Sequence, residues 1–152
     1  MTDCIFCKIV AGQAPCHKVW EDECHLAFLS IFPNTPGFTV VVTKEHAPSY
    51  VFQLEPERLN ALVLAARTVA LKIDRALPDV GRTGLIAEGF GVDHAHVKLV
   101  PMHGTANMAE WKRLHAKVET FFTQYPGYLS SHDSERGNDQ ELAELAKRIA
   151  AG

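Results

Sequence analysis

Residues 91–101 read GVDHAHVKLVP and alternate strictly in character. On a β-strand, His94, His96 and Lys98 take one face, and Ala95, Val97 and Leu99 take the other. The apolar face suits a core. A face carrying two imidazoles and an ammonium suits a site. At about 3.3 Å of rise per residue, two such imidazoles stand roughly 7 Å apart. That separation fits a metal ligand beside a nucleophile, or two contacts to one phosphate. A second cluster lies near the start of the chain, where Cys4-Ile5-Phe6-Cys7 has the spacing at which two thiolates reach one zinc ion. A redox CxxC has the same spacing but ordinarily opens a helix after a strand. This one has no strand before it, which favours metal. Zinc needs two further ligands, and imidazole is the expected type.

These side chains need elements to hold them. Residues 18–21 and 25–29 read as short strands around the acidic turn Glu21-Asp22-Glu23. Pro33-Asn34-Thr35-Pro36-Gly37 reads as a turn, because two prolines and a glycine cannot continue a ladder. Residues 38–43 are β-branched and aromatic and predict a strand. Residues 55–77 predict the longest helix, with Leu59, Leu62, Val63, Ala66, Val69, Ala70, Ile73 and Leu77 as its apolar stripe. Pro56 suits its first turn, and Pro78 follows its end. Residues 82–87 and 94–100 predict two strands joined by Glu88-Gly89-Phe90-Gly91. A further helix is expected at 109–122 and irregular chain at 125–137. Asn138-Asp139-Gln140-Glu141 resembles a capping box before an amphipathic helix carrying Leu142, Leu145, Ala146 and Ile149. Many strands with few helices between them predict an α+β fold with a largely antiparallel sheet.

Composition narrows the function. A chain of 152 residues that is 47% hydrophobic fits one domain with a sizeable core. The net charge is −3 and no basic run is present, so no nucleic-acid partner is expected and any phosphate site must be local. No apolar stretch is long enough to cross a bilayer. The first residues carry neither a basic region nor a long apolar run, so a cytoplasmic protein is expected. Cys4, Cys7, Cys16 and Cys24 are then expected as thiols or ligands, not disulfides.

Taken together, CIFCKIVAGQAP, VWEDECHLAFLSIFPNTPGFTVVVTKEH and GVDHAHVKLVP resemble the histidine-triad (HIT) family, in that family's order and spacing, from Cys4 to Pro101. The resemblance implies a HIT-like α+β fold: a mostly antiparallel five-stranded sheet, one long helix and C-terminal helices. Residues 1–105 would be the HIT core, and 106–152 a helical extension packed on it. It implies a homodimer and a nucleotide substrate. In the family the middle histidine attacks the α-phosphorus of a nucleotide; here that residue is His96. The nucleotidyl-histidine is then hydrolysed to a nucleoside monophosphate, so that one difficult displacement becomes two easier ones. Several members bind zinc through a CxxC pair, a histidine after the central strand and the first triad histidine. Here these would be Cys4, Cys7, His46 and His94, a closed set of structural type.

The departures from the family pattern lie in the pocket. The third triad position is Lys98, expected to meet the phosphate as a cation. Phe38 and Ser30 stand where relatives carry a histidine and a ribose-binding aspartate, and Ala87 where they carry an asparagine. The loop before the triad is shortened to Gly89-Phe90-Gly91, without the family's glutamine and phosphate-binding hydroxyl. Ile31, Phe32, Phe90 and Gly91 are the candidate nucleotide-contacting positions, with His103 as a further titratable group. Two other functions fit the same residues. One is a nucleotide-binding protein of this fold with little catalysis. The other is a hydrolase using a catalytic metal on His94 and His96, which needs a carboxylate nearby, and Asp93 points to the other strand face.

Overall fold

The computed structural model describes residues 3–106 and 136–152. The helix expected at 109–122 and most of the irregular chain expected at 125–137 lie outside them. The element order is α1 (Ile5–Val10), β1 (His17–Glu21), β2 (His25–Leu29), β3 (Thr39–Thr43), a 3-10 turn (Val51–Gln53), α2 (Pro56–Ala76), β4 (Val80–Ile86), β5 (His96–His103) and α3 (Asp139–Ala151). The strands form one antiparallel sheet in the order β1-β2-β3-β5-β4. This is the expected α+β architecture. None of the described helices is long and apolar enough to cross a membrane.

The sheet is covered on both faces, which is why β2 and β3 are buried along their whole length. Ala27, Leu29, Val41, Val97 and Leu99 pack under α2 and α3, against Leu62, Ala66, Val69 and Ile73 of the long helix and Leu142, Ala146 and Ile149 of the terminal one. Leu26, Phe28, Phe38, Val40 and Val42 form the second face, and α1 packs on it through Phe6, Ile9 and Val10. Directly opposite residues of an antiparallel pair share a face. Val42 pairs with His96 and Val40 with Lys98, so the polar face of β5 emerges under α1, away from the long helix.

Three details differ from the periodicity. Helix α1 was not expected. It has six residues, too few to show a helical repeat. Val63, expected in the stripe of α2, is exposed, and Ala65 is buried in its place. The strand expected from residue 94 enters its ladder only at His96. Before that, Ala95 N donates to Ala47 O at 2.8 Å and Thr43 N donates to Ala95 O at 3.2 Å, so this stretch pairs with the last residue of β3 and the loop after it. At its other end β5 runs through Pro101, which pairs with Thr83. Beyond Leu99 it has β4 alone as a partner, the edge setting in which a strand tolerates proline. At α3, the Asn138 side chain accepts from Gln140 N and Glu141 N as the cap motif predicts.

His103 closes the far end of β5. Its Nδ1 lies 2.9 Å from Asp79 Oδ2 and its Nε2 lies 2.8 Å from the Pro36 carbonyl. Only a doubly protonated ring donates to both. The Pro36 carbonyl, then the Asp79 carboxylate, raise the imidazole above its ordinary value, and His103 in turn lowers Asp79. A raised histidine stabilises fully below the unfolded value of about 6.5 and loses that contribution as pH rises through the folded value. The lowered aspartate stabilises above about 3.9 and loses its contribution as pH falls. His103→Gln should therefore lower folding stability more at pH 5.5 than at pH 8.5 in urea unfolding. Equal losses at the two pH values would remove the protonated ring from the account.

Candidate metal and nucleotide site

Cys4 caps α1 and Cys7 sits within its first turn, so the two thiols lie on one side of the helix. His46 follows β3 and His94 precedes β5. The four ligand atoms lie within 4.8 Å of one another. Cys4 Sγ is 3.4 Å from His94 Nδ1, Cys7 Sγ is 3.6 Å from the same nitrogen, and Cys7 Sγ is 3.5 Å from His46 Nδ1. A tetrahedral zinc with Zn–S of about 2.3 Å and Zn–N of about 2.0–2.1 Å requires S···N edges of about 3.5 Å. The donor set fits that ion in chemistry and in spacing.

His94 is prepared for ligation. Its Nε2–H donates to the Thr43 carbonyl at 2.7 Å, which fixes the tautomer and leaves the Nδ1 lone pair facing the thiols. Burial also pushes its imidazole below the usual value, toward the neutral ligand form. Among the described residues this is the one cluster of three or more metal-ligating side chains. The carboxylate that a catalytic metal on His94 and His96 would need is committed elsewhere: Asp93 Oδ1 accepts from Ser49 N at 3.0 Å.

His96 stands one ladder position in from the cluster and is buried. Its Nδ1–H donates to the His94 carbonyl at 2.6 Å. A carbonyl only accepts, so Nδ1 carries the proton and Nε2 keeps the lone pair. Burial holds this imidazole below its ordinary value, in the neutral form at physiological pH. The Phe6 ring stands edge-on to both imidazoles, with centroids 5.4 Å from His96 and 5.8 Å from His94.

His96 and Lys98 line a cavity of about 420 Å³ between the sheet and α1, within the size range of small-molecule sites. Ile31, Phe32, Phe90 and Gly91, the residues named from the sequence, line it too. So do Phe38 and, from α1, Ile5, Phe6 and Ile9. The α1 residues were missed. An apolar pair followed four positions later by another apolar residue was their only signal, and six residues carry it weakly.

Two sequence-predicted residues are placed differently. His103 does not line the cavity; it is held by Asp79 and Pro36. It lies an odd number of residues beyond His96, and alternation sends it to the opposite strand face. Lys98 lines the cavity, but its ammonium is paired with Glu88, whose side chain is 6% exposed against 15% for Lys98. Glu88 carries no sequence signal for this pairing, because it falls in the loop that joins β4 to the triad strand. Ser30, at the position of the family's ribose-binding aspartate, uses its Oγ to accept from Phe32 N at 3.1 Å and so shapes the loop that carries Ile31 and Phe32.

Comparison with known proteins bears on the fold and the family. The HIT domain family model matches residues 11–115. A HIT-like protein of Mycoplasma pneumoniae is 38% identical over 107 residues, covering 68% of this chain and 74% of that protein. The adenosine 5′-monophosphoramidase of Schizosaccharomyces pombe is 38% identical over 99 residues, covering 64% and 73%. The crystal structure of a zinc-bound histidine triad family protein from Mycobacterium smegmatis superposes with a TM-score of 0.69 at 22% identity, over 98% of this chain and 91% of that one. With its five-stranded antiparallel sheet and its match over residues 11–115, the chain belongs to the HIT domain family.

Proposed function

We propose that this chain is a HIT-type nucleotide hydrolase or transferase that cleaves a phosphoanhydride or phosphoramidate at the α-phosphorus and releases a nucleoside monophosphate. The observation that carries the reading is the hydrogen bond from His96 Nδ1–H to the His94 carbonyl, which leaves Nε2 as an unprotonated nucleophile in an apolar-walled cavity. Nε2 forms a bond to phosphorus as the bond to the leaving group breaks; the leaving group takes a proton from solvent, and His96 becomes a nucleotidyl-imidazolium that keeps its Nδ1 proton. Water then attacks phosphorus, the P–N bond breaks, the water's proton returns to solvent, and neutral His96 is restored. Ile31, Phe32, Phe90 and Gly91 flank the nucleoside, and Lys98 meets the phosphate. A relative that shares 38% identity is an adenosine 5′-monophosphoramidase, which supports the P–N substrate class.

Cys4, Cys7, His46 and His94 would hold one zinc ion. The four protein ligands leave no open position, so the ion serves the fold and not the reaction. We read residues 1–105 as the HIT core and 106–152 as its extension; within the latter, α3 adds Leu142, Ala146 and Ile149 to the common core. We further read the protein as a cytoplasmic homodimer. Val63, Leu64 and Leu71 are exposed on the outward side of α2, where a second copy would cover them. The engagement of Lys98 by Glu88 favours a second reading, a nucleotide-binding protein of the same fold with little turnover.

His96→Ala and the turnover of the parent chain separate the two readings. Turnover of a nucleoside 5′-phosphoramidate or a dinucleoside polyphosphate should fall by roughly 10⁴-fold or more, the scale seen when a nucleophile is deleted. The fold should persist by circular dichroism, and imidazole should restore part of the activity of His96→Gly. Undiminished turnover in His96→Ala would remove His96 as the nucleophile, whereas a parent chain that binds the nucleotide with negligible turnover would leave the binding protein.

The metal assignment has its own measurement. Purified protein should contain about one zinc per chain by elemental analysis, as a four-ligand site requires. Cys7→Ser should lose the ion and melt lower by more than about 5 °C, because metal-binding energy at such a site is folding energy. Equal zinc content and equal melting in Cys7→Ser would refute it.

A further inference from the structure

Glu88 and Lys98 form an ion pair that the triad chemistry does not use. The pair is built into the fold. Ile86, the last residue of β4, lies opposite Lys98 in the ladder, so the chain leaving β4 passes beside the lysine. Gly89 then turns at φ +74°, and a Cβ at that position would meet Ser49 O at 2.8 Å. Asp93 Oδ1 holds Ser49 N from the other end of the same loop. The loop is clamped at both ends against residue 49, and Glu88 is delivered to the Lys98 ammonium in a place where both side chains are largely buried.

The cavity's charge balance follows from this placement. Lys98 is the one permanently charged side chain among the described residues that line it. Lys98 lines the cavity and Glu88 does not, so the carboxylate acts on a ligand through the lysine and through its own field. An ammonium already neutralised by a carboxylate offers a ligand hydrogen bonds with little net positive charge. An α-phosphoryl group in an anhydride, amidate or ester linkage carries one negative charge. The phosphate of a nucleoside monophosphate carries between 1.5 and 2 near neutral pH, with its second ionisation near 6. The additional charge would face the buried Glu88 carboxylate across a few ångströms of poorly screening protein, where like charges repel strongly.

We infer that Glu88 is a specificity-determining residue of the cavity, which sets it to hold a singly charged α-phosphoryl group in preference to the doubly charged phosphate of the released monophosphate. The consequence is weak retention of product. The inference rests on the nucleotide reading given above, in which phosphate meets Lys98.

AMP and its 5′-methyl ester share base and ribose and differ by one charge, so they test this directly. Their binding to the full chain is measured by titration calorimetry, with the parent, Glu88→Gln, Glu88→Ala, Lys98→Met and the double variant Glu88→Gln/Lys98→Met. Both Glu88 variants should bind AMP roughly tenfold more tightly than the parent, and the methyl ester within about threefold of it. Compared with Lys98→Met alone, the gain for AMP in the double variant should shrink but not vanish, because the part carried by the released ammonium is lost while the removed repulsion from the carboxylate remains. A purely structural role for Glu88 would instead weaken both ligands together, so equal changes for the two ligands, or no gain for AMP in either folded variant, overturns the inference while the nucleotide reading stands. If neither these ligands nor the corresponding guanosine, cytidine and uridine pairs bind the parent chain, the nucleotide reading fails and the inference goes with it.

Discussion

Strand β5 lies between β3 and β4, and its register against β3 decides what every side chain along it can do. His96 stands opposite Val42 and Lys98 opposite Val40, while Val97 stands opposite Val41 and Leu99 opposite Thr39. A slip of one residue would exchange the two sets, placing imidazole and ammonium beneath α2 and valine in the cavity. The core side of the strand resists that slip, since Val97 and Leu99 are buried against the long helix and cannot be replaced there by charged groups without large cost. Packing on one face of the sheet thus fixes the chemistry on the other.

The opposite wall of the cavity is α1, and little besides its contacts holds it in place. A helix of six residues is not stable alone. Phe6 and Ile9 pack on the sheet, and Cys4 and Cys7 approach His94 and His46. Phe6 lies between the two cysteines, and its ring edge meets His96, so the residues that gather the thiols also position the ring beside the imidazole. The cavity wall and the Cys/His cluster form one unit.

Much of this was legible in the sequence because two periodicities are strong. The two-residue alternation of 94–99 predicted which side chains share a face, and the helical stripe predicted α2 from end to end except at Val63. The Cys4–Cys7 pair was legible from its spacing, but its meeting with His46 and His94 was implied only by resemblance, since partners separated by 39, 87 and 90 residues leave no local signal. Helix α1 escaped because it is shorter than two turns. Glu88 escaped for a different reason: it meets Lys98 only after the chain has reversed through Gly89 and Gly91, both at positive φ, and spacing does not encode that turn. The face taken by His103 was not legible, because Pro101 predicts the end of the strand near residue 100, and parity separates His103 from His96 only once β5 is seen to run on to residue 103.

The loop pinned by Gly89 also divides the cavity into a part that substitution can alter and a part that it cannot. Any side chain at residue 89 would collide with backbone at Ser49, so drift at that position is closed and the floor beneath Lys98 keeps its shape. Phe90, next in the chain, is 59% exposed, and Phe32 across the opening is 40% exposed. Neither is locked into the core, and exchange at exposed positions ordinarily costs little stability. Homologues of this chain can therefore diversify in what they admit through the rim alone, while the end of the cavity at Lys98 is held constant by backbone that no side chain at residue 89 can enter.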